Sequence, residues 1–379
     1  MSARSDISVV GQPLFLAWLA ALGIGLVMVT SASMPLAAEI YQNPFQFATR
    51  HLVYLGLAGI AFAVVASVPL RIFARLDRIA LVLAIVGLVL VLVVGDDPVK
   101  GSHRWIRLGA FSVQPSELTK VAFVLYIAAH LTRRGDAVRE RFGALMRPVL
   151  VTSLIGVLLL LEPDFGTMVV LALVSFSLLF LAGARLAHLA LLALLGGASV
   201  ALVLTLEPYR LARMAVFLNP WAEPFGGGYQ LTQALIAFGR GEWFGLGLGQ
   251  SIQKLFFLPE AHTDFIFAVM AEELGLVGVM GVALLLSYIT LQAAHVGRSS
   301  IRLGQLFRGY VAYGAGLLLG VQFLVNLGVN VGLLPTKGLT LPLMSYGGNS
   351  LIVCSVLVGF IARAHLENRR EGAGGRATS

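Results

Sequence analysis

The sequence predicts an all-α, polytopic integral membrane protein with about ten transmembrane helices and a long extracytoplasmic loop between helices 7 and 8. Three observations predict it. Of the 379 residues, 58% are hydrophobic and 12% charged, against about 25% charged in a soluble globular protein. Apolar runs approaching the ~20 residues that span a bilayer recur from end to end, with a mean hydropathy of +0.87. Basic residues sit in short clusters between those runs, as they do in the loops that orient a membrane protein. The net charge of +8 therefore does not describe a stripe that grips nucleic acid. No stretch is polar enough to form a separate soluble domain.

In order, the spans fall near 13–32, 51–70, 79–95, 116–132, 148–161, 166–183, 188–206, 264–292, 309–331 and 346–363. The first follows Arg4 and ends among small residues, like a signal peptide, but it is long for one and further spans follow; it is read as uncleaved. Only the 162–166 turn separates the fifth span from the sixth. The eighth is long enough to begin above the hydrocarbon. Within the Gly-rich loop at about 207–263, residues 229–238 predict a short amphipathic helix at the membrane surface. Residues 1–12 form an N-terminal segment, 13–363 one membrane domain, and 364–379 a polar tail expected to be disordered. Ten crossings place both termini on one side. Making that side cytoplasmic puts most of the 27 basic residues there, including Arg71, Arg75, Arg78, Arg133, Arg134, Arg298 and Arg302, in keeping with the positive-inside rule. The one cysteine, Cys354, excludes an internal disulfide and reads as a packing residue.

Charges in or beside a span are costly, so each is a functional candidate until a partner is found. At the start of the fourth span, Pro115 and Ser116 suit a helix N-terminus, and Glu117 and Lys120 share a face at i, i+3. That pair either neutralises itself for burial or helps to bind a substrate. Glu162 and Asp164 flank Pro163; they offer a cation or acid–base site, but the spacing favours a turn in which Asp164 caps the sixth span. The densest cluster is Glu260, His262 and Asp264, at the entry to the eighth span. Three ligands so close in sequence rarely reach one metal ion without a further partner, whereas a partly shielded carboxylate at a helix start can serve as a general base. Glu272 lies about 12 Å below Asp264 along that helix, at ~1.5 Å per residue. It and Glu273 need partners that the adjacent sequence does not supply. Arg104 and Trp105 join a cation to an interfacial aromatic. Pro335, Gly338, Pro342, Gly347 and Gly348, around Lys337 and Ser345, mark broken helix of the kind tolerated where backbone lines a cavity. These residues alone leave open a transporter, an enzyme acting on an anionic lipid and a receptor-like scaffold.

The same segments carry a resemblance. Gly-Ser-His-Arg-Trp (101–105), Gln-Pro-Ser-Glu-Leu (114–118), Glu-Pro-Asp-Phe-Gly-Thr (162–167), Gly-Tyr-Gln-Leu-Thr-Gln (228–233), Leu-Pro-Glu-Ala-His-Thr-Asp-Phe (258–265) and Ser-Tyr-Gly-Gly (345–348) resemble, in that order, the SEDS family of FtsW, RodA and SpoVE. Pro-Thr-Lys-Gly-Leu-Thr-Leu-Pro (335–342), Glu-Ala-His (260–262) and Phe-Gly-Arg-Gly-Glu (238–242) look most like its division branch, FtsW. Asn349 departs from the pattern, where a serine often follows the Gly-Gly. The resemblance implies a peptidoglycan glycosyltransferase in the bacterial cytoplasmic (inner) membrane, polymerising lipid II into β-1,4 glycan strands at the outer face. Implied partners are a class B penicillin-binding protein, the FtsI-like transpeptidase, and other divisome proteins. Asp264 is the implied catalytic residue. Arg104, Trp105, Glu117, Lys120, Gln230, Arg240, Lys254, Glu260, His262, Lys337 and Ser345 are expected to meet substrate, with Glu162 and Asp164 in a structural or functional turn. A divalent cation, Mg or Mn, is a candidate aid to the diphosphate, with no metal site assigned. The competing readings are a lipid II flippase, which would line both leaflets with polar groups, a scaffold that activates the transpeptidase, and an elongation-type (RodA-like) polymerase.

Overall fold

A computed structural model describes residues 12–95, 104–109, 111–205, 216–335 and 338–377. Its helices are α1 (Gln12–Tyr41), α2 (Gln46–Ser67), α3 (Leu70–Val94), α4 (Pro115–Glu140), α5 (Phe142–Leu161), α6 (Phe165–Leu181), α7 (Leu186–Thr205), α8 (Tyr229–Gly241), α9 (Ile266–Arg302), α10 (Leu306–Asn330) and α11 (Gly348–Ala377). A two-stranded antiparallel hairpin, β1 (Ile106–Leu108) and β2 (Phe111–Val113), precedes α4. Helices dominate because lipid offers no partner to a backbone N–H or C=O. All the helices except α8 correspond to the expected spans, and α8 is the expected amphipathic helix in the long loop. Among the described residues, α1, α2, α3, α5, α9, α10 and α11 are long and apolar enough to cross a membrane, while α6 and α7 are apolar but shorter. The remaining span, α4, carries Glu117, Lys120, Arg133 and Arg134. It lies inside the bundle against α3 and α10, with Phe123, Val124, Ile127 and Leu131 fully buried. The outward faces of α2 and α3 instead present Val53, Ile60, Val64, Leu83 and Val93, all more than half exposed, as lipid-facing side chains should be.

Leu14 of α1, Ser67 of α2 and Leu366 of α11 line one groove, so the first and last helices have their termini at the same end of the bundle. At the opposite end, which carries the long loop, α9 departs from a straight span. Small residues set its register against α10: Gly316 packs on Ala293 and Gly320 on Thr290. Continuing that antiparallel register brings Asn330 opposite Met280. Asn330 Oδ1 nevertheless accepts from Ala268 N–H at 3.2 Å. The discrepancy arises at Gly275, whose backbone (φ 67°, ψ −171°) breaks α9. Residues 266–274 therefore do not continue the line of residues 276–302, and Asp264, Glu272 and Glu273 do not lie along one straight helix with the rest of α9.

The loop after α8 fills this break. Leu246 N–H and Gly247 N–H donate to Glu272 O (2.9 Å) and Glu273 O (3.0 Å), and Leu276 N–H and Val277 N–H donate to Glu242 O (2.9 Å) and Trp243 O (3.1 Å). The two backbones cross so closely that a Cβ on Gly275 would stand 2.3 Å from Gly245 N, and one on Gly245 would stand 2.2 Å from Glu273 O. Gly275→Ala should therefore cost at least about 1–3 kcal/mol for its Gly-only backbone region, before the clash is counted. A lowered melting temperature of the detergent-purified variant checks this, and a wild-type value would refute it.

The tail differs from expectation. α11 runs on to Ala377, through residues read from composition as disordered. Cross-helix charge holds it: Arg308 of α10 pairs with Glu367 (3.1 Å) and Glu371 (2.8 Å), and Glu367 also pairs with Arg363 (2.8 Å).

Candidate active site

Residues 260–265, just before α9, form turns rather than helix, and two other segments fix their shape. Tyr346 N–H donates to His262 O at 3.0 Å. Ser345 Oγ donates to Thr263 O at 2.6 Å while accepting Leu341 N–H at 2.8 Å. From α10, the side-chain amides of Asn326 and Asn330 donate to Asp264 O at 3.0 and 3.1 Å. Asp264, the expected catalytic residue, thus has its backbone pinned by two buried amides. Sequence reasoning missed both, although Gln322, Asn326 and Asn330 recur every fourth residue on one face of an otherwise apolar helix, which was the available signal.

These segments close around a cavity of about 200 Å³ lined by Asp264, Glu260, Thr263, Asp164, Glu117, Arg104, Trp105 and residues 338–340. Gly338 leaves room between the charges: a Cβ there would lie 3.2 Å from Asp264 Oδ2 and 3.9 Å from Arg104 Nη1. Arg104 is seated on the 162–166 turn, its Nε donating to Glu162 O at 3.1 Å and its Nη2 to Pro163 O. In that turn Asp164 accepts from Thr167 N–H at 3.3 Å, capping α6 as its spacing led one to expect. Glu162 is fully buried, and neither carboxyl oxygen finds a hydrogen-bond partner among the described residues. Burial first and the Asp164 charge second push its pKa up to about 8, with Arg104 offsetting part of the rise. Glu117 borders the cavity with Lys120 behind it: Lys120 Nζ lies 2.7 Å from Glu117 Oε1, donates to Gln322 Oε1 at 3.1 Å, and is 1% exposed. Glu260 Oε2 accepts from Thr263 Oγ1 at 2.8 Å.

A larger cavity, about 670 Å³, adjoins the first and shares Trp105, Thr263, Tyr346 and Gly347 with it. Arg50, Tyr54, Ser112, His262 and Asn349 complete much of its wall. Tyr346 forms the partition, its ring 5.2 Å from Phe47 and 5.6 Å from His262. Arg50 and Tyr54 sit on a helix whose neighbouring residues face lipid, and nothing in the sequence alone set them apart.

Several expected contacts fall elsewhere. Arg240 Nε pairs with Glu272 Oε1 at 2.9 Å. Lys254 Nζ pairs with Glu273 Oε1 at 2.7 Å and donates to Ser31 Oγ of α1 at 2.9 Å. Neither cation lines the two cavities; both were expected to meet substrate, but the buried carboxylates of α9 claim them. Gln230, half-buried in α8, also lies outside both linings, and Ser345 stands behind the wall it braces. Lys337 lies outside the described residues.

Fold and site together define a polytopic membrane protein with a charged, carboxylate-bearing cavity at the loop end of its helix bundle. The chain belongs to the FtsW/RodA/SpoVE family, described as "Cell cycle protein", whose family model matches residues 12–370. It is 49% identical over 360 residues to the probable peptidoglycan glycosyltransferase FtsW of Thioalkalivibrio sulfidiphilus (strain HL-EbGR7), covering 95% of this chain and 90% of that protein. It is 47% identical over 350 residues to the probable peptidoglycan glycosyltransferase FtsW of Escherichia coli O6:H1, covering 92% and 84%. Among solved structures it is similar to a chain from "Structural coordination of polymerization and crosslinking by a peptidoglycan synthase complex", with TM-score 0.78 and 29% identity over 95% of this chain and 98% of that one. The Thermus thermophilus rod shape determining protein RodA is similar too, with TM-score 0.69 and 28% identity over 94% and 97%.

Proposed function

We propose that this protein is a peptidoglycan glycosyltransferase of the division branch, and that the cavity between Asp264 and Arg104 is its reaction site. The observation that carries the site assignment is the approach of a carboxylate and a guanidinium to the same glycine, Gly338. The guanidinium is seated on main-chain carbonyls, and the carboxylate is carried by a residue whose own main-chain oxygen is pinned by two buried amides. The carboxylate of Asp264 takes the proton from the 4-hydroxyl of the acceptor GlcNAc. That oxygen then attacks C1 of the donor MurNAc, forming the new C–O bond as the bond to the lipid diphosphate breaks. The diphosphate leaves with the electron pair, and inversion turns the α-linked donor into a β-1,4 strand. Arg104 stands where negative charge develops on the leaving group, which is where a preorganised cation lowers the barrier. Lys337, close in sequence to Gly338, is assigned the same role.

Lipid II is the substrate in this reading, and a class B penicillin-binding protein works alongside. Cytoplasmic termini, supported by the distribution of arginines, put the cavity on the outer face of the cytoplasmic membrane. Among the described residues, no three His, Cys, Asp or Glu side chains gather closely enough to hold a metal ion by themselves. A divalent cation would take most of its oxygens from the diphosphate and water, as Mg²⁺ commonly does. The test is purified protein with lipid II in detergent, where no leaflet sidedness exists. Glycan strands longer than the starting disaccharide are expected; protein that binds lipid II yet forms no strands, alone or with the transpeptidase, would leave translocation as the better reading.

A further inference from the structure

Glu162 has no place in the reaction just described, yet it is the most completely isolated carboxyl near the site. It is 0% exposed, and neither oxygen is hydrogen-bonded among the described residues. A buried ionised carboxylate without partners is strongly disfavoured, and the usual resolution is to keep the proton. The charged groups that act on it are Asp164 in its own turn and Arg104 from the segment before β1. Arg104 does not meet the Glu162 carboxyl. It donates to the main-chain oxygens of Glu162 and Pro163, while its Nη1 lies beside the Gly338 position that Asp264 Oδ2 also flanks. The turn therefore offers Arg104 two seats: the carbonyls it uses, and a carboxylate one side chain away.

We propose that Glu162 is a positioning residue that works as a neutral acid, leaving Arg104 on the turn carbonyls beside Asp264 when protonated and drawing it off that seat when ionised. A guanidinium binds an ionised carboxylate more strongly than it binds two neutral carbonyls, so loss of the proton relocates the cation and the reaction site loses it. The inference rests on the glycosyltransferase reading for its consequence in activity, but not for the titration itself. The sign follows from burial: the folded protein holds this proton up to about pH 8, well above the range of an exposed carboxyl. Its contribution to stability is complete below the unfolded value near 4.5, declines as the pH rises, and is fully lost above about 8.

The experiment compares wild type with Glu162→Gln, which keeps the shape and cannot ionise, and with Glu162→Met as a second uncharged variant. In lipid II polymerisation, wild-type rates should fall about tenfold per pH unit above about 8, while E162Q holds its rate there. Melting temperatures in detergent, read on the same proteins, should show wild type losing ground to both variants as the pH approaches 8 and then levelling. Parallel melting profiles at all pH values would overturn the proposal, as would an unchanged alkaline limb in E162Q. If no protein polymerises at any pH, the glycosyltransferase reading fails, and the melting profiles still decide whether Glu162 titrates.

Discussion

Asp264→Asn should abolish polymerisation while leaving the protein folded. A positioned general base contributes about 10²–10⁴-fold, so the residual rate on purified lipid II is expected at 1% of wild type or below. The fold should survive, because the substitution leaves in place the bonds that Asn326 and Asn330 donate to the backbone oxygen of residue 264, and a cooperative melting transition of the purified variant checks this. Association with the transpeptidase should likewise persist. Wild-type polymerisation by the variant would sink the assignment of Asp264, and loss of both activity and fold would call for Asp264→Glu, which keeps the base and shifts it.

The second large effect is expected at Lys120. Its ammonium is buried between Glu117 and Gln322, so Lys120→Met strands the Glu117 charge. Breaking a buried pair on one side costs about 3–5 kcal/mol, whereas replacing both members with apolar or neutral groups of similar volume is often neutral. Lys120→Met alone should therefore melt far below wild type, and the double variant Glu117→Gln with Lys120→Met should recover most of that loss. Activity separates the two roles of the pair. Glu117 borders the Asp264 cavity and its second oxygen has no hydrogen-bond partner among the described residues, so the double variant is expected to fold and yet polymerise poorly. A stable double variant with wild-type rates would reduce the pair to a device for burial.

Much of the fold was legible because lipid is an unforgiving solvent. Each span had to be apolar and helical, and α8 announced itself by its amphipathic pattern between glycine clusters. The charged α4 was still readable, because Glu117 and Lys120 fall at i, i+3. The pairing of Glu272 with Arg240 and Glu273 with Lys254 was not, since the partners lie on a loop that folds back against α9, and sequence distance carries no information about that return. The break at Gly275 was hidden for a related reason. It sits in a run with Gly278 and Gly281, neither of which has a positive φ, and only the crossing backbone at Gly245 singles it out. At the site, the residue type at 264 and its place at a helix start were visible. The seat of Arg104 was not, because main-chain carbonyls of a turn carry no side-chain signature.

The crossing of Gly245 and Gly275 has a practical consequence for anyone exchanging parts between this chain and its relatives. The backbone bonds that close the break join residues 242–247 to residues 272–277, so the loop and the start of α9 are halves of one interlocked piece. A chimera that transplants the long loop alone, with its junction at the familiar motif around residue 264, would graft half of that piece onto a foreign other half. Donor sequence taken as a block through residue 277 keeps both halves matched, and that is the junction at which a hybrid should fold.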